Sequence, residues 1–499
     1  MKSPMRTSAK YSMILASAAV ILSTTDAAAD PSHYTYNVYG GEASITGYIG
    51  PGGDIIIPAT LGGHPVTTIG CSSFENCTSL ASVTVPDSVM TIMIRAFEGC
   101  TALSSVTIGN CVTNIDDYAF YGCVALASVV IGDSVTSISW DAFRGCTALK
   151  NVDIPSSVIS IGGNAFVNCT SLSSVAIGNN VTSIGPNAFD GCTALKNVTI
   201  PSSVTTICGS AFEGCIALTS VTIGSNVSKI EAYTFRGCNA LTGVTIPDSV
   251  TSIGSEAFSE CTSLVSVVIG NSVTNIDIFA FDGCTALTSV TIPDSVITIG
   301  NNAFKGCRSM ARLTIGNSVT SIGRSAFSFC YALANVIIPD SVTTIGDGAF
   351  QMCSALTRVI IHASVTSIEQ YGFHSCDALA SVYFLGSPPS VGYHTFREPA
   401  TLYYLPDHAA HWPGTYATRP TALWLPSITQ SGRNVANGHF ALTTFWAPGQ
   451  IIRIEAATRL DDPDWGAIMT ATIPHTGNLE FADPDVGSYP SRFFRIVAP

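Results

Sequence analysis

A phenylalanine recurs every 23 residues from Phe74 to Phe396, fifteen times, and a cysteine follows three positions after each of the first fourteen. Each unit also carries the pattern Leu-x-x-Val-x-Ile or a close variant. A fixed period of this length indicates a leucine-rich solenoid, in which each coil buries its apolar side against its neighbours. The sequence therefore predicts one long repeat body in place of the several domains that 499 residues could otherwise form.

The apolar residues of each unit occupy fixed positions. In the unit that begins at Cys77 they are Leu80, Val83, Val85, Val89, Ile92, Ala96 and Phe97. Polar and apolar residues alternate in Ser82–Val85, as they do in a strand with one buried side. Successive coils are therefore predicted to pair as a parallel β ladder. The segment Ala-Phe-x-x-Cys is predicted to form a short helical or 3-10 turn on the convex side.

From Pro86 to Pro339 the position after each ladder strand holds proline or glycine. The two types alternate strictly from Pro155 to Pro339. Both end a strand, because proline lacks the donor that a ladder needs and glycine permits the backbone to turn. The alternation predicts that the duplicated unit was a pair of coils, 46 residues long.

The segments outside the repeat differ from it in composition and in the pattern of apolar residues. Residues 67–398 form the predicted solenoid, and the flanking strand-like and aromatic segments read as caps. About sixty residues at the end contain short apolar runs between turn signals, which favours a small β-sandwich. The predicted segments are a signal peptide (1–29), an N-terminal β cap (30–66), a C-terminal cap (399–426), a polar linker (427–437) and the sandwich (438–499).

The first residues have the pattern of a secretory signal. Lys2, Arg6 and Lys10 precede the apolar run Met13–Leu22, and Ala27–Ala29 supplies a small-residue cleavage site, so the mature chain is expected to begin near Asp30. No stretch is long enough to predict a transmembrane segment. With 11% charged residues and a formal net charge of -13, the chain lacks the clustered Lys and Arg that nucleic acids require.

The consensus from Cys284 to Phe304, Cys-Thr-Ala-Leu-Thr-Ser-Val-Thr-Ile-Pro-Asp-Ser-Val-Ile-Thr-Ile-Gly-Asn-Asn-Ala-Phe, closely resembles the BspA-like bacterial leucine-rich repeats, also called the Treponema pallidum type. The resemblance covers residues 67 to about 396. It implies a secreted or surface-exposed bacterial protein; some members of the family act as adhesins for host proteins, while many have no known ligand. It carries over no catalytic residues. The tail is similar to β-domains that end various secreted bacterial proteins.

The cysteine column is expected to consist of buried free thiols. Fourteen of the seventeen cysteines share one phase, so their Cα atoms should lie about 4.8 Å apart with parallel Cβ directions. Parallel side chains pack as small apolar groups and do not converge on a disulfide or a metal. Cys111 and Cys208 fall in other columns about four coils apart, too far to bond.

Other candidate sites have simpler structural explanations. The column of Asp87, Asp133, Asp248, Asp294 and Asp340 suggests a calcium ladder, but Asx-turn chemistry accounts for it better. Asp461, Asp462 and Asp464 lack calcium-loop spacing. His408 and His411 lack the glutamate and third ligand of a hydrolytic zinc site. No Ser, His and Asp arrangement of a hydrolase is present. The sequence predicts no enzyme, metal or cofactor.

The outward positions of the ladder are the best candidates for ligand binding, because curved solenoids often bind ligands on the concave face. One outward column is mainly Thr and its neighbour mainly Ser, but near the C-terminal end both change to residue types enriched at protein interfaces. Contact with the C-terminal cap is the alternative explanation. The candidate patch is Arg312, Asn335, Ile337, Arg358, Ile360 and Tyr383.

Three functions follow from this pattern. The first is an exported, non-catalytic binding or adhesion module for a protein or glycan of unknown identity. The second is a structural spacer of the cell envelope or matrix without a ligand. The third is an ice-binding Thr array, although Val130, Asp153 and Ala176 interrupt it.

Overall fold

The computed structural model describes residues 30–433, 440–457, 465–474, 476–482 and 493–498. The predicted signal peptide lies outside these residues. The predicted solenoid is confirmed, as coils of 23 residues stack along one axis and pair through two parallel ladders. In the described part of the chain, no helix has the length and apolar character needed to cross a membrane.

The wide ladder is formed by the Leu-x-x-Val-x-Ile segments. Its strands face the core through the Val and Ile columns, and every pairing between them is parallel. They are Leu80–Thr84, Ser105–Thr107, Ser128–Val130, Asn151–Ile154, Ser174–Ile177, Asn197–Thr199, Ser220–Thr222, Gly243–Thr245, Ser266–Val268, Ser289–Thr291, Arg312–Thr314, Asn335–Ile338, Arg358–Ile361, Ser381–Phe384 and Thr401–Tyr404.

The narrow ladder has two-residue strands that end at the second conserved isoleucine. Each strand pairs in register with the strand one coil later, as Ser252–Ile253 does with Asn275–Ile276. The strands are Thr91–Ile92, Asn114–Ile115, Ser137–Ile138, Ser160–Ile161, Ser183–Ile184, Thr206–Ile207, Lys229–Ile230, Ser252–Ile253, Asn275–Ile276, Thr298–Ile299, Ser321–Ile322, Thr344–Ile345, Ser367–Ile368 and Ser390–Val391.

The phenylalanines form one continuous aromatic stack through the core. From Phe74 to Phe396 successive ring centroids lie 4.7–5.6 Å apart and the ring planes agree within 18°. This is the offset-stacked geometry that aromatic pairs favour. Because each ring contacts the rings of both neighbouring coils, the stack links the coils into one core.

The segment around Ala-Phe-x-x-Cys forms hydrogen-bonded turns rather than the expected helical or 3-10 turns. The residue before the Ala column has a left-handed backbone in almost every coil, for example Arg95 with φ 59° and Tyr233 with φ 62°. Such a residue interrupts a right-handed helix. Alternate N–H groups instead bond to the next coil, as Phe97 N does to Ala119 O at 2.8 Å. The only 3-10 helices of the described residues are Pro31–His33 and Pro406–His411.

The N-terminal cap starts both ladders. An antiparallel hairpin of Tyr34–Tyr39 and Glu42–Tyr48 is followed by Gly53–Ile56, Thr60–Leu61 and His64–Ile69. Gly53–Ile56 pairs with the first strand of the wide ladder and His64–Ile69 with the first strand of the narrow one. The Tyr48 ring stacks on Phe74 at 5.2 Å and covers the end of the aromatic stack.

The C-terminal cap extends the wide ladder by one strand beyond Thr401–Tyr404. That strand, Arg419–Leu423, pairs in parallel with it and carries the short hairpin strand Thr415–Tyr416. The Trp412 indole N–H donates to Gly386 O at 3.1 Å, and its ring packs on Phe384 at 4.8 Å. The last coil is therefore closed by backbone pairing and by one buried tryptophan.

The tail forms two antiparallel three-stranded sheets around a shared apolar core, as expected for a small β-sandwich. One sheet contains Ser427–Arg433, Phe440–Phe445 and Asn478–Ala482, and the other contains Gly466–Thr472, Ile451–Ala457 and Phe493–Val497. The predicted polar linker, 427–437, is wrong over its first seven residues, because Ser427–Arg433 pairs with Phe440–Phe445. A polar composition does not prevent pairing when the neighbouring backbone supplies the partners.

Glu455 carries a charge inside the tail domain. Its side chain is nearly buried and accepts hydrogen bonds from Arg495 Nε at 2.7 Å and Arg453 Nε at 2.6 Å. The Arg495 and Arg453 guanidinium groups hold the pKa of this carboxyl below its usual value. The two ion pairs thus provide the partners that a nearly buried carboxylate requires.

The cysteine column is buried from Cys100 to Cys376, as expected, while Cys77 is half-buried, and the column adds a second inter-coil bond. Thirteen thiols, Cys100 to Cys376, each donate a hydrogen bond of 3.0–3.4 Å to the phenylalanine carbonyl of the preceding coil. In coil after coil the same carbonyl also accepts the N–H of its own cysteine, as Phe74 O does from Cys77 N. Cysteine therefore provides two properties at this position: a small apolar side chain that fits the core and a thiol that donates a hydrogen bond.

Replacing one ring in the middle of the stack should remove two ring contacts. We expect Phe212→Ala to lower the free energy of unfolding by roughly 3–5 kcal/mol, because a large buried side chain leaves a cavity. The exposed Thr222→Ala variant should stay within about 0.5 kcal/mol of the parent. Urea unfolding followed by circular dichroism makes the comparison. Equal stability of the two variants would contradict a structural role for the stack.

Thiol titration should separate the column from the remaining cysteines. Burial raises the pKa of Cys169 to about 12, so almost no thiolate exists there at pH 8. Of the seventeen cysteines, we expect the exposed Cys71 and Cys111 to react rapidly in native protein and all seventeen to react after denaturation without reductant. A Cys71→Ser, Cys111→Ser double variant should lose the fast phase. A deficit after denaturation would reveal disulfides and contradict the free-thiol column.

Candidate binding surface

The outward side of the wide ladder, here called the ladder face, is a regular surface that follows the solenoid axis. Its two outward columns consist mostly of Thr and Ser up to Thr314, and only Asp153 and Arg312 in them are charged. One of these columns repeats every 23 residues from Thr84 to Thr314, and all eleven of its side chains are exposed. The surface is therefore open, nearly neutral and rich in hydroxyl groups.

Between Asn151 and Thr314 the ladder is tightly paired only within pairs of coils, whereas the coils before and after this stretch pair with one another at three or four residues. The strand Asn151–Ile154 pairs with Ser174–Ile177 over four residues, but Ser174–Ile177 pairs with the next strand at one residue only. Three-residue and one-residue pairings then alternate as far as Arg312–Thr314. Beyond Thr314 the next strand belongs to a separate sheet. We call each weakly paired boundary a ladder joint, and joints recur every 46 residues.

The alternation of proline and glycine explains this two-coil period. A Cβ atom added to Gly178 would lie 2.4 Å from Pro155 O, and one added to Gly270 would lie 2.5 Å from Pro247 O. The glycine is therefore needed because its backbone packs directly on the proline carbonyl of the preceding coil, rather than because the chain turns there. At a joint the order of the two residue types is reversed: a coil with glycine at this position is followed by a coil with proline, as Gly178 is by Pro201.

Cavities open on the ladder face at the joints. One of about 690 Å³ lies between Ser174–Ile177 and Asn197–Thr199. A larger cavity of about 1020 Å³ covers the joint after Ser266–Val268 and the joint after Arg312–Thr314. Pro448 and Thr476 of the tail domain also line the larger cavity, which we call the joint cleft.

The predicted six-residue patch is divided by the tail domain. Arg312 and Asn335 are exposed, and Ile337 is half-buried at the end of the joint cleft. Arg358 and Tyr383 are half-buried, whereas Ile360 is only 2% exposed and packs in one cluster with tail residues. The expectation of one open patch is therefore not met at Arg358, Ile360 and Tyr383.

These three residues contact the protein's own C-terminal segments. The Tyr383 ring lies 4.5 Å from Trp424 and 5.1 Å from Phe445, measured between ring centroids. The Arg358 guanidinium lies 4.2 Å from the centre of the Phe445 ring, and burial lowers the pKa of Arg358. The interface residues Trp424 and Phe445 were not predicted, although the apolar change in the outward column was a usable signal.

The aspartate column has a structural role. Asp87 Oδ1 accepts the N–H of Asn110 in the next coil at 2.7 Å, and Asp248 and Asp294 accept from Asn271 and Asn317 in the same way. The carboxylates therefore satisfy turn backbone groups, as expected, but those of the following coil. Within the described residues, no group of three His, Cys, Asp or Glu side chains could hold a metal ion.

The other candidate sites of the sequence are placed differently. His408 and His411 lie in the 3-10 helix Pro406–His411, where His411 is exposed and His408 half-buried. Asp461, Asp462 and Asp464 lie outside the described residues. His362, in the lining of the joint cleft, is half-buried, and burial lowers its pKa, so it is neutral at pH 7.

Removing the central aromatic of the tail interface should loosen the tail domain. In Tyr383→Ala we expect increased acrylamide quenching of the buried Trp424 and Trp446 and faster proteolysis between solenoid and tail, because three aromatic contacts of Tyr383 are lost. Tyr393→Ala is the matched control, since that ring is 72% exposed and lies against His394. Unchanged quenching in Tyr383→Ala would contradict a docked tail.

Comparisons with known proteins agree with this architecture. The family model for the BspA type leucine-rich repeat region matches residues 57–173, 160–287 and 274–402. A leucine-rich repeat protein from Bacteroides ovatus is 28% identical, with a TM-score of 0.62, over 70% of this chain and 93% of its own. Curated protein sequences give no match.

Two further solved structures are also of leucine-rich proteins similar in sequence to this chain. A leucine-rich cell surface protein from Faecalibacterium prausnitzii is 33% identical over 71% of this chain and 94% of its own, with a TM-score of 0.44. The leucine-rich repeat protein of T. pallidum is 32% identical over 38% of this chain and 90% of its own, with a TM-score of 0.37. The family model matches more than half of the present chain, which therefore belongs to the BspA-type leucine-rich repeat family.

Proposed function

We propose that this protein is a bacterial surface or secreted module that binds a protein or glycan on the ladder face and performs no chemistry. The observation that carries the proposal is the open face itself, with eleven exposed side chains in one column and cavities at its joints. Leucine-rich repeat solenoids use such surfaces for recognition. Arg312, Asn335 and Ile337 lie beside the joint cleft and belong to the proposed surface.

Export is part of the proposal. The basic and apolar pattern of residues 1–29 is that of a secretory signal. A related solved structure is described as a cell surface protein, and the thiol column, being buried, would be protected from disulfide exchange outside the cell. The tail domain then lies at one end of the ladder face, where it bounds the binding surface.

A structural spacer without a ligand is the competing function. It requires only the stiff aromatic stack and gives no role to the joints. An ice-binding array is disfavoured because Val130, Asp153, Ala176 and Val268 interrupt the column of threonine hydroxyls.

The test is a binding screen with matched variants. Full-length mature protein, recovered from culture medium or envelope, is applied to arrays of purified extracellular proteins and glycans. Binding should fall at least tenfold in a Thr245→Arg, Thr291→Arg variant, because both side chains are exposed on the ladder face. It should be unchanged in Thr262→Arg, which is exposed in the turn after Cys261. No ligand at all would favour the spacer, and equal loss in both variants would contradict binding on the ladder face.

A further inference from the structure

We infer that the ligand of the joint cleft is a neutral, β-linked linear glycan that lies along the solenoid axis with one sugar ring per coil. This inference rests on the proposed function and names the ligand class. It comes from three properties of the cleft: its period, the chemistry of its lining and its charge.

The period of the cleft fits a pyranose chain. Ring centroids of the aromatic stack beneath it are 5.1–5.4 Å apart, so two coils advance by roughly 10 Å. A β-linked pyranose chain advances by about one coil spacing per ring, and its ring orientation alternates with a period of two rings. That period coincides with the distance between joints. An extended peptide presents side chains on one face every second residue, about 6.6 Å apart, and this repeat matches neither one coil nor two.

The lining offers sugars both kinds of contact that they use. Thr291 and Thr314 present hydroxyl groups on the floor, and Asn271 and Asn317 present carboxamides along one side. Between them lies apolar surface, including Val268, which is 58% exposed on the same face. Alternating polar edges and apolar surfaces match the equatorial hydroxyls and the C–H faces of pyranose rings.

The charge of the cleft selects against acidic ligands. Its lining includes the carboxylates of Asp294 and Asp340 but no lysine or arginine, and His362 in the lining is neutral at pH 7. Arg312, beside the cleft, leaves the local balance at one negative charge. The whole chain carries a formal net charge of -13. A sulfated or uronate-containing polymer would be repelled, whereas an uncharged glycan meets no such penalty.

The tail domain determines where the glycan stops. Pro448 and Thr476 stand at the end of the cleft, and beyond them Ile360 and Tyr383 are covered by tail residues. A linear chain can therefore extend toward the N-terminal coils but is blocked toward the C-terminal cap. Affinity should increase with chain length until both joints of the cleft are spanned.

The experiment is calorimetric titration of the full-length protein with β-1,4-linked glucose and N-acetylglucosamine oligomers of two to six rings. Oligomers of at least one of these two series should bind, at least tenfold more tightly at four rings than at two, with little further gain. α-1,4-linked glucose oligomers of equal length should bind at least tenfold more weakly, because their curvature takes them off the axis.

Variants locate the site. Thr314→Arg should reduce affinity at least tenfold, since the new side chain fills the cleft floor, and Val268→Arg serves as a second variant at an equally exposed position. Thr107→Arg is the matched control, because Thr107 occupies the same column where three-residue pairing continues on both sides. Circular dichroism establishes that all three variants are folded.

Three results would overturn the inference: equal binding of α- and β-linked oligomers, unchanged affinity in both cleft variants, or binding of a lysine-rich peptide but of no glycan. If a different ligand binds the ladder face and Thr245→Arg, Thr291→Arg abolishes that binding, the proposed function stands and only the glycan assignment falls. If neither glycans nor proteins bind, the two proposals fall together.

Discussion

The register between successive coils is the constraint on which this structure depends. One coil cannot bury its own apolar residues, so stability must come from contacts between identical positions of neighbours. Three such contacts coincide at each of the thirteen phenylalanines from Phe74 to Phe350, as at Phe212: its ring stacks on the next ring, its N–H bonds to the next coil, and its carbonyl accepts the next coil's cysteine thiol. A slip of one residue would break all three, which explains why the period of 23 residues is kept without exception.

The same register also produces the irregularity that matters for function. A coil with glycine after its ladder strand packs directly on the proline carbonyl of the coil before it. The following coil has proline at that position and pairs with the glycine-containing coil at one residue only. The result is a face divided into two-coil steps, with cavities at three of the joints between them. A surface that seems bland in its Thr and Ser columns thus acquires shape from backbone packing, and a ligand can be recognised by its repeat length as well as by its side groups.

The C-terminal end of the ladder face has a different role. Arg358, Ile360 and Tyr383 have the interface-like chemistry that attracts attention in a sequence, and they do form an interface, with the protein's own cap and tail domain. Removing this end from the available surface moves the candidate site toward Val268 and Thr314. It also gives the joint cleft a closed end, which neither the solenoid nor the tail would provide alone.

The sequence by itself determined the solenoid, the inward columns, the free thiols and the two-coil period, because each depends on residues that recur at one phase and therefore meet in space. It missed the strand Ser427–Arg433 and the thiol-to-carbonyl bonds, and it gave contact with the C-terminal cap, which Tyr383 makes through Trp424, only as the alternative to an open patch. These depend on which backbone atoms and which distant side chains come together, and no local pattern records that. Only the tertiary structure decided where the tail docks and where the ladder opens, since both result from packing between segments that the repeat does not relate.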